Sequence, residues 1–369
     1  MGIVRPDKSR KMEMEELRRT LLSCAGANRR KEEEFFKLSG RPVFPPEQND
    51  RLVGVTGGVS FAGIAIVNQL LLRGYSVRIL VDNEEELEKV REMEESGEMR
   101  GWNGSNVAEA VMARSTAVES LSEALVGCRG LIHTAAFVDP AGLSGYSKSM
   151  AEVEVMTSKN VVEACARAMS VKYCVLTSSL LACVWKDHNA PLNHSSPHKI
   201  DHDSWSDESF CTAKKLWYAL GKVKAERAAW EIIAHRGNGL KLATICSGLI
   251  TGPHFCHRNS TSTIAYLKGA KEMYRKGVLA TVDVNTLAKA HVAVYEEMSN
   301  STAFGRYICF DKIISSPEEI ESLGRETGID MSSVLDDAPN ESQSGGRFEL
   351  SNSKLNRLIS TTFKCKNYY

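Results

Sequence analysis

The segment from Leu52 to Arg73 constrains the fold of this chain more than any other part of its sequence. A short apolar run ends in clustered glycines, and the apolar residues from Ile64 to Arg73 then recur at helical spacing. Strand, glycine-rich turn and helix is the order of a dinucleotide-binding unit. The glycines let the backbone approach a pyrophosphate, and the helix N-terminus offers it unpaired N–H groups. Turns of this kind also arise for purely geometric reasons, so the remainder of the chain has to decide between the two interpretations.

Composition limits what a chain of 369 residues can be. The length suits one large α/β unit with a smaller appended part, or two modest domains. Lysine plus arginine and aspartate plus glutamate each number 46, so no net field favours nucleic acid or a membrane surface as a partner. No uncharged stretch is long and apolar enough to cross a bilayer. The ten cysteines include no Cys-x-x-Cys pair, which is typical of reduced thiols and predicts a cytoplasmic protein.

Three regions are predicted along the chain. Residues 1–50 form an N-terminal extension that we expect to be flexible, because it combines charge runs with prolines. Residues 51–250 alternate short apolar strands with longer helical segments, which predicts an α/β, Rossmann-type dinucleotide-binding domain with a doubly wound parallel sheet. In residues 251–369 the predicted strands and helices are shorter and less regularly ordered, which predicts a smaller C-terminal substrate-binding lobe. The strand near 305–310 is a candidate to return to the Rossmann sheet.

The apolar pattern also predicts the individual elements. Strands are expected at residues 52–55, 77–81, 110–113, 130–134, 173–177, 240–245 and 305–310. Helices are expected at residues 64–73, 84–94, 118–125, 150–168, 214–233, 263–275, 285–298 and 317–327. The alternation of the two favours the interpretation of the glycine-rich turn as a cofactor cradle.

Four histidines lie in the polar loop of residues 186–210, namely His188, His194, His198 and His202. The last three are four residues apart, which on a helix would place them on one face as metal ligands. Prolines at positions 191 and 197 break such a helix. No cysteine or carboxylate set completes a site with recognisable spacing, so we predict no metal.

Tyr218 and Lys222 carry the clearest chemical signal. On a helix, positions i and i+4 lie on one face, so a phenol and an ammonium group stand side by side. A free tyrosine has a pKa of about 10, and a neighbouring cation stabilises the phenolate and brings that pKa down toward working range. Any long helix can produce this spacing by chance, and the alternative is a surface lysine beside a tyrosine at the core edge.

Thr177, Ser178 and Ser179 lie at the C-terminal end of a predicted parallel strand. Open α/β sheets bind their ligands at that edge, where a hydroxyl group can hydrogen-bond a substrate carbonyl. A strand-end turn would also use these residue types. Together with the glycine-rich turn and the pair Tyr218 and Lys222, they form one consistent set.

At this point the sequence resembles a known family. It is similar to the extended short-chain dehydrogenases/reductases, in the group of the plant cinnamoyl-CoA reductases and dihydroflavonol reductases, from about Leu52 to about Leu355. The stretches that carry the resemblance are Val55-Thr-Gly-Gly-Val-Ser-Phe-Ala-Gly63, Leu72-Arg-Gly-Tyr-Ser-Val-Arg78, Gly130-Leu-Ile-His-Thr-Ala-Ala136, Leu176-Thr-Ser-Ser179, Trp205-Ser-Asp-Glu-Ser-Phe-Cys211, Trp217-Tyr-Ala-Leu-Gly-Lys222, Val282-Asp-Val-Asn285 and Ser351-Asn-Ser-Lys-Leu355.

The resemblance implies a role for each matching residue. Tyr218 would give its proton to the carbonyl oxygen as hydride arrives from the nicotinamide, and Lys222 would lower the Tyr218 pKa and bind the nicotinamide ribose. Ser179 would hold the carbonyl oxygen, with Ser178 as the second choice. The implied cofactor is NADP(H) or NAD(H). Its predicted contacts are Thr56, Gly57, Gly58, Ser60, Phe61, Ala62, Gly63, Asp82, Arg114, Ala135, Ala136, Tyr218, Lys222 and Ser247.

Four of these positions depart from the family pattern. Ser60 replaces the middle glycine of the turn, where its side chain would crowd or hydrogen-bond a pyrophosphate. Asp82 stands where NADPH-using relatives have an arginine, and an acid there prefers a ribose 2′-hydroxyl to a 2′-phosphate. Arg114 replaces an aspartate near the adenine and either restores a phosphate partner, pairs with Asp82, or is solvated. Ser247 replaces a proline beside the nicotinamide.

The substrate side departs from the family as well. Around the catalytic tyrosine, cinnamoyl-CoA reductases read Asn-Trp-Tyr-Cys-Tyr-Gly-Lys, whereas this chain has Leu216, Ala219 and Leu220 at three of those places. The His-x-x-Lys that relatives use near coenzyme A falls at Ser262 and Ala265. The resemblance therefore implies a cinnamoyl-CoA reductase-like enzyme that acts on the alcohol, carbonyl or acyl-CoA thioester of a small, phenylpropanoid-type metabolite, and a monomer.

Two other functions stay open on the sequence. A cofactor-binding scaffold with a regulatory or signalling role would explain the altered cofactor positions and the extension. Retention of Ser179, Tyr218 and Lys222 argues against it, because a scaffold has no chemical need for all three. An epimerase or dehydratase shares the fold and the tyrosine–lysine pair, but the stretches around Trp205 and Trp217 favour the reductase.

Overall fold

The computed structural model describes residues 51–99, 108–134, 146–186, 199–236, 239–253, 260–335 and 348–364. One compact unit spans Pro46–Ser360. The predicted extension of residues 1–50, Ala135, Ala136 and the three histidines at positions 188, 194 and 198 lie outside the described residues. No helix in the described ranges is both long enough and apolar enough to span a membrane.

Strands and helices alternate through most of the described chain. The strands are β1 (Leu52–Thr56), β2 (Ser76–Val81), β3 (Ala108–Met112), β4 (Gly130–His133), β5 (Tyr173–Ser179), β6 (Lys199–Ile200), β7 (Lys241–Ser247), β8 (Leu249–Thr251), β9 (Ala280–Asp283), β10 (Gly305–Cys309), β11 (Lys312–Ile313) and β12 (Glu349–Leu350). The helices are α1 (Phe61–Leu72), α2 (Glu84–Ser96), α3 (Val118–Ala124), α4 (Lys148–Arg167), α5 (Leu181–Val184), α6 (Glu208–Ala213), α7 (Trp217–Arg236), α8 (Ser260–Leu267), α9 (Ala270–Lys276), α10 (Val284–Ser299), α11 (Pro317–Thr327), α12 (Ser332–Leu335) and α13 (Ser353–Lys364).

Seven parallel strands form the central sheet, in the order β10-β7-β5-β4-β1-β2-β3. The strand order reverses between β1 and β4, because β2 and β3 follow β1 on one side while β4, β5, β7 and β10 build outward on the other. Ligands of such sheets bind in the crevice at the carboxyl ends of the strands beside this reversal. The predicted doubly wound α/β fold is confirmed.

Strand β10 pairs with β7 at the edge of the central sheet, so residues 305–309 belong to the same sheet as the glycine-rich turn. Separately, β8, β9 and β11 form a small mixed sheet, and β12 pairs with β6. A domain boundary at residue 250 remains a prediction.

Buried apolar side chains cover both faces of the central sheet. The largest buried cluster joins strands β1 and β2 to helices α1 and α10 through Val53, Ile66, Ile79, Leu287 and Val294, each fully buried. A strand buried on both faces reads as a continuous apolar run, which is why the strands of the central sheet could be predicted from the sequence.

Most predicted helices differ from the observed ones by one to three residues at an end, and two of the differences have an identifiable structural cause. The segment 263–275 is two helices, α8 and α9, because the chain turns at Gly269 against the ring of Trp185. A Cβ at Gly269 would lie 2.4 Å from that ring. The helix predicted from residue 214 begins at Trp217, since Lys215 adopts a left-handed conformation with φ 52° that no helix continues through.

Candidate active site

The glycine-rich turn between β1 and α1 is packed too closely for side chains at two of its glycines. A Cβ at Gly63 would lie 2.0 Å from the carbonyl oxygen of Gly57, and one at Gly58 would lie 2.7 Å from Ile79 Cγ2. Gly57 itself has a φ of 65°, which favours glycine. The turn therefore brings bare backbone to the N-terminus of α1, at the carboxyl end of β1, and this arrangement fits the pyrophosphate of a dinucleotide.

Ser60 closes this turn as the N-cap of α1. Its Oγ accepts a hydrogen bond from the backbone N–H of Gly63 at 3.0 Å, and its own N–H donates to the Gly57 carbonyl at 2.9 Å. The sequence predicted that this side chain would crowd or contact the pyrophosphate. In the structure the hydroxyl instead has a partner within the protein, the N–H of Gly63. A glycine at position 60 could not make this capping hydrogen bond, because it has no side chain.

Asp82 and Arg114 stand near each other at the ends of β2 and β3, and both side chains are exposed. Asp82 Oδ1 accepts a hydrogen bond from the backbone N–H of Ser115 at 2.6 Å. Within the described ranges no ion pair joins Asp82 to Arg114. Of the alternatives for Arg114, the direct pair is therefore not formed, and contact with a cofactor phosphate remains a prediction.

A buried histidine that the sequence analysis did not single out lies beside the turn. His133, at the end of β4, is 1% exposed, and its Nδ1 lies 2.6 Å from Thr56 Oγ1. Burial, reinforced by the nearby Lys222 charge, lowers the pKa of His133 from 6.5 to about 3. His133 is therefore neutral at physiological pH and joins the ends of β1 and β4 at the point where the strand order reverses.

Tyr218 and Lys222 lie on α7 as the spacing predicted, with Lys222 Nζ 5.6 Å from the centre of the Tyr218 ring. Lys222 is 5% exposed and forms an ion pair with Glu154. Burial alone would lower the pKa of Lys222, but the charge of Glu154, the nearby Tyr218, the Glu154 hydrogen bond and the charge of Glu226 together raise that pKa.

The pKa of Tyr218 differs from the sequence prediction. Burial raises it above the ordinary value of 10.0, and this outweighs the lowering by the Lys222 charge, while Glu154 adds a smaller upward contribution. The prediction of a net decrease was therefore wrong. The cause is the burial of Tyr218, which cannot be predicted from the spacing of Tyr218 and Lys222 in the sequence.

Glu154 and Tyr146 complete the environment of the lysine, and sequence reasoning missed both. The Tyr146 hydroxyl donates a hydrogen bond to Glu154 Oε2 at 2.5 Å. The rings of Tyr146 and Tyr218 meet edge to face, with centres 5.0 Å apart. The one available signal was a glutamate on the core-facing side of a predicted helix, a position where an unpaired carboxylate is costly.

The three hydroxyl residues at the end of β5 have different partners. Thr177 lies 2.8 Å from His291 Nε2, and Ser178 donates to Glu226 Oε2 at 2.9 Å. Ser179 Oγ accepts from the Leu181 N–H at 3.2 Å, which leaves its own proton available to a ligand. Ser179 lines a cavity of about 30 Å³ together with Tyr218 and Ser247, whereas Ser178 is not among its lining residues.

A larger cavity of about 300 Å³ lies next to Tyr218 and is mostly aromatic and apolar. Tyr218 and Tyr266 line both cavities. The other lining residues are Tyr146, Leu181, Trp185, Leu216, Trp217, Ala219, Ile264, Ala265, Lys268 and Gly269.

In the described part of the chain, one cluster of two aspartates and a histidine brings possible metal-ligand atoms close together. Donor atoms of Asp201, His202 and Asp203 lie within 4.8 Å of one another. Lys199 approaches Asp201 at 3.9 Å, and Asp201 Oδ1 accepts from the Asp203 N–H at 3.1 Å. Asp201 thus has partners within this surface turn, and the absence of a metal site remains a prediction.

Fold and site together define the class. A glycine-rich turn at the reversal of a parallel sheet, followed by a serine at the end of β5 and a buried tyrosine–lysine pair on α7, is the arrangement of an NAD(P)-dependent reductase of the short-chain dehydrogenase/reductase type.

Residues 54–302 match the model of the 3-beta hydroxysteroid dehydrogenase/isomerase family, and the chain belongs to this family. Cinnamoyl-CoA reductase 1 of Petunia hybrida is 34% identical over 281 residues, which cover 74% of this chain and 77% of that protein. Tetraketide alpha-pyrone reductase 1 of Arabidopsis thaliana is 30% identical over 280 residues, with coverages of 73% and 79%. The plant reductase resemblance is thereby confirmed.

Solved structures show the same fold. The yeast methylglyoxal/isovaleraldehyde reductase complexed with NADPH aligns with a TM-score of 0.61 at 18% identity, over 86% of this chain and 97% of that one. Vestitone reductase from alfalfa (Medicago sativa L.) aligns with a TM-score of 0.56 at 23% identity, over 83% and 91% of the two chains.

Proposed function

We propose that this protein reduces the carbonyl group of a small aromatic, phenylpropanoid-type metabolite, presented as an aldehyde, a ketone or an acyl-CoA thioester, with NAD(P)H. One observation carries the proposal. Ser179, Tyr218 and Ser247 line one small cavity, and Tyr218 also lines the adjacent aromatic cavity. A carbonyl oxygen between Ser179 and Tyr218 would have its carbon skeleton in that aromatic cavity.

In this proposal each side chain has one task in the proton transfer. Ser179 uses its Leu181 N–H contact to orient its hydroxyl and donates its proton to the substrate oxygen in a hydrogen bond. Tyr218 gives its phenolic proton to the same oxygen as negative charge develops there. Lys222 keeps a positive charge beside Tyr218 and so stabilises the phenolate that remains.

The bound cofactor would supply a hydride to the carbonyl carbon. The backbone at Gly57, Gly58 and Gly63, with Thr56, Phe61 and Ala62 around it, would hold its pyrophosphate at the N-terminus of α1. Asp82 would accept a hydrogen bond from the adenosine ribose, Ser247 would lie near the nicotinamide, and Ala135 and Ala136 stay predicted contacts. The Asp82 carboxylate repels a 2′-phosphate, so we expect this chain to lack the usual advantage for NADPH over NADH.

Substrate class rests on the aromatic cavity and on the relatives. The petunia protein is named for cinnamoyl-CoA and the Arabidopsis protein for a tetraketide alpha-pyrone. Both names describe oxygenated unsaturated compounds that a cavity lined by tryptophan and tyrosine side chains accommodates through stacking. Ser262 and Ala265 at the family's coenzyme A positions favour a free aldehyde or ketone over a thioester.

The test begins with calorimetric titration of NADH and NADPH, followed by a panel of cinnamoyl thioesters, cinnamaldehydes and flavanonols with the tighter cofactor. Tyr218→Phe is expected to lower kcat by at least about 100-fold while cofactor affinity stays within about two-fold of wild type. Unchanged turnover in that variant would remove Tyr218 from the mechanism. Cofactor binding without turnover on any member of the panel would support a regulatory scaffold instead, and a clear preference for NADPH would refute the role given to Asp82.

A further inference from the structure

Glu154 is a buried carboxylate in the middle of α4, with 4% of its surface exposed. It forms an ion pair with Lys222 and accepts a hydrogen bond from Tyr146. A buried charge of this kind is costly unless it is paired, and a fold can avoid the cost by placing an apolar residue there. The carboxylate contacts Lys222, which lies beside the proposed proton donor Tyr218. Glu154 can therefore affect the reaction as well as the packing of the core.

The contact between α4 and α7 holds this arrangement in place. A Cβ at Gly221 would lie 3.1 Å from Ala151 and 3.4 Å from the Tyr146 hydroxyl. The absence of a side chain at Gly221 thus lets the two helices approach next to Lys222. Tyr146 in turn packs edge-on against the Tyr218 ring, so one partner of Glu154 is Lys222 and the other packs against Tyr218.

We propose that Glu154 is a positioning residue for the proton transfer: its carboxylate holds the Lys222 ammonium group at Tyr218, and its bond to Tyr146 holds the ring that packs against Tyr218. This inference rests on the proposed function, because it assigns Glu154 to the same reaction. Glu154 acts through Lys222 and Tyr146 and donates nothing to the substrate itself.

The charge of Glu154 has a defined effect within this group. Burial is the largest influence on both Tyr218 and Lys222, and the Glu154 charge adds an upward contribution to the pKa of each. The other titratable groups that face this pair from the elements packed against it are His133 on β4, Tyr146 before α4, Glu226 on α7 and Tyr266 on α8. His133 is neutral, and Tyr146 and Tyr266 keep their protons, because burial raises their pKa values above that of a free tyrosine.

Removal of the Glu154 charge makes loss of a proton easier for the tyrosine–lysine pair. Whichever of the two groups releases the first proton, it does so at lower pH, because a nearby negative charge has gone. Carbonyl reduction needs Tyr218 protonated as the donor and Lys222 protonated as its charge partner. The alkaline limit of kcat/KM for reduction therefore moves to lower pH in Glu154→Gln.

The first experiment measures kcat/KM against pH with cinnamaldehyde and NAD(P)H. Glu154→Gln is expected to shift the alkaline limit downward by about one pH unit or more. Glu154→Asp keeps the charge and is expected to restore the wild-type limit. Glu152→Gln is the matched control on the same helix, since Glu152 is exposed and pairs only loosely with Lys148 at 3.9 Å. An unchanged limit in Glu154→Gln overturns the inference.

A second measurement does not depend on turnover. In protein labelled with [13Cζ]tyrosine, the Tyr218 resonance is identified by its loss in Tyr218→Phe and then titrated in wild type and Glu154→Gln. A titration of the Tyr218 resonance at lower pH in the variant, caused by ionisation of either Tyr218 or the adjacent Lys222, supports the inference, and a titration at the wild-type pH overturns it. Activity retained in Tyr218→Phe would instead overturn the proposed function, so the two failures are distinguishable.

Thermal unfolding of each variant shows whether the substitution has damaged the fold. If Glu154→Gln gives no folded protein, Tyr146→Phe carries the test, because it removes one hydrogen bond to Glu154 and keeps every charge. We expect a several-fold lower kcat with an unchanged alkaline limit and an unchanged KM for the cofactor. A wild-type kcat in that variant contradicts the positioning role.

Discussion

Helix α7 contributes one partner to each of two buried ion pairs, Lys222 to the pair with Glu154 and Glu226 to the pair with Arg306. Lys222 and Glu226 are four residues apart and so lie on the same face of the helix. All four side chains are at most 7% exposed. The two pairs therefore share a helix, a depth and a type of interaction, and they differ in what surrounds them.

The Glu226 pair is saturated with hydrogen bonds. Its carboxylate accepts from Arg306 Nε at 2.7 Å, from Ser178 at 2.9 Å and from Thr244 at 2.5 Å. Arg306 stacks 3.7 Å over the Trp205 ring and donates to the backbone carbonyls of residues 202 and 204. The pair joins α7, β5, β7, β10 and the segment before α6, and its role is structural.

The Glu154 pair instead contacts two tyrosines that line a cavity. Its lysine is directed at the Tyr218 ring and its carboxylate at Tyr146, and both tyrosines line the aromatic cavity. The comparison teaches that the surroundings of a buried charge, rather than burial itself, separate a structural pair from one available for chemistry.

Loss of Arg306 gives the largest expected effect and would break the structural pair. Arg306→Leu leaves Glu226 charged and buried without its cation, which costs about 3–5 kcal/mol of unfolding free energy. Urea denaturation measures the loss. Arg306→Lys keeps the charge but not the forked geometry or the stacking on Trp205, so we expect a smaller decrease of about 1–2 kcal/mol. Equal stability of Arg306→Leu and wild type would contradict the structural assignment.

Loss of Lys222 tests the second ion pair, the one between Lys222 and Glu154. Lys222→Met is expected to lower kcat/KM by about 100-fold, equivalent to about 2.7 kcal/mol of transition-state stabilisation. Its unfolding free energy should fall by less than that of Arg306→Leu, because Arg306 also stacks on Trp205 and donates to two backbone carbonyls, and Arg306→Leu loses those contacts together with the ion pair. A stability loss as large as that of Arg306→Leu, measured in the same urea series, would erase the distinction between the pairs.

The next largest expected effect is a loss of stability at acidic pH, which comes from two buried histidines. Burial lowers the pKa of His133 to about 3 and that of His291 to about 4, in each case from 6.5. The unfolded chain therefore binds more protons than the folded one below pH 6.5. Stability is fully present above that pH and falls as pH decreases toward the folded values, by about 2 kcal/mol for each histidine between pH 7 and 5.

Urea denaturation of His291→Gln at both pH values checks this contribution, and exposed His235→Gln on α7 serves as its control. The pH difference should shrink in the first variant and stay at the wild-type size in the second. A wild-type pH difference in His291→Gln would contradict the contribution assigned to this histidine.

The smallest expected effect comes from an uncharged hydrogen bond, which serves as a reference for the two ion pairs. Ser60→Ala removes the hydroxyl that caps α1 and should cost about 1 kcal/mol, whereas Ser60→Gly should cost only a few tenths. Chemical denaturation with intrinsic fluorescence resolves the order of the three proteins. Equal stability of the alanine variant and wild type would mean that the Gly63 N–H finds another partner.

The sequence predicted those features that depend on local pattern. The helix 317–327 has the predicted bounds, because Ser316 forms a capping box, Pro317 begins the helix and Gly328 ends it in a left-handed conformation. The buried strands and the positions of Tyr218 and Lys222 on one helix also follow from residue order alone. Local signals of this type act within a few residues and need no knowledge of the fold.

Features that depend on distant contacts were missed or wrong. Glu154 becomes a partner of Lys222 only when α4 packs on α7, and the break at Gly269 depends on the ring of Trp185. The net upward shift of the Tyr218 pKa depends on its burial. Each of these requires two segments that are far apart in the sequence, and periodicity contains no information about which segments meet.

The contact between Gly63 and the Gly57 carbonyl has a consequence for engineering. No Cβ fits at Gly63, so this position of the turn proposed to hold the diphosphate is fixed by backbone geometry and cannot be varied. Asp82 and Arg114, by contrast, are exposed at the strand ends. If the proposed cofactor contacts hold, a library aimed at changing the preference between NADH and NADPH should randomise those two positions and leave Gly63 untouched, because the proposed residues for nucleotide choice and for nucleotide anchoring are different ones.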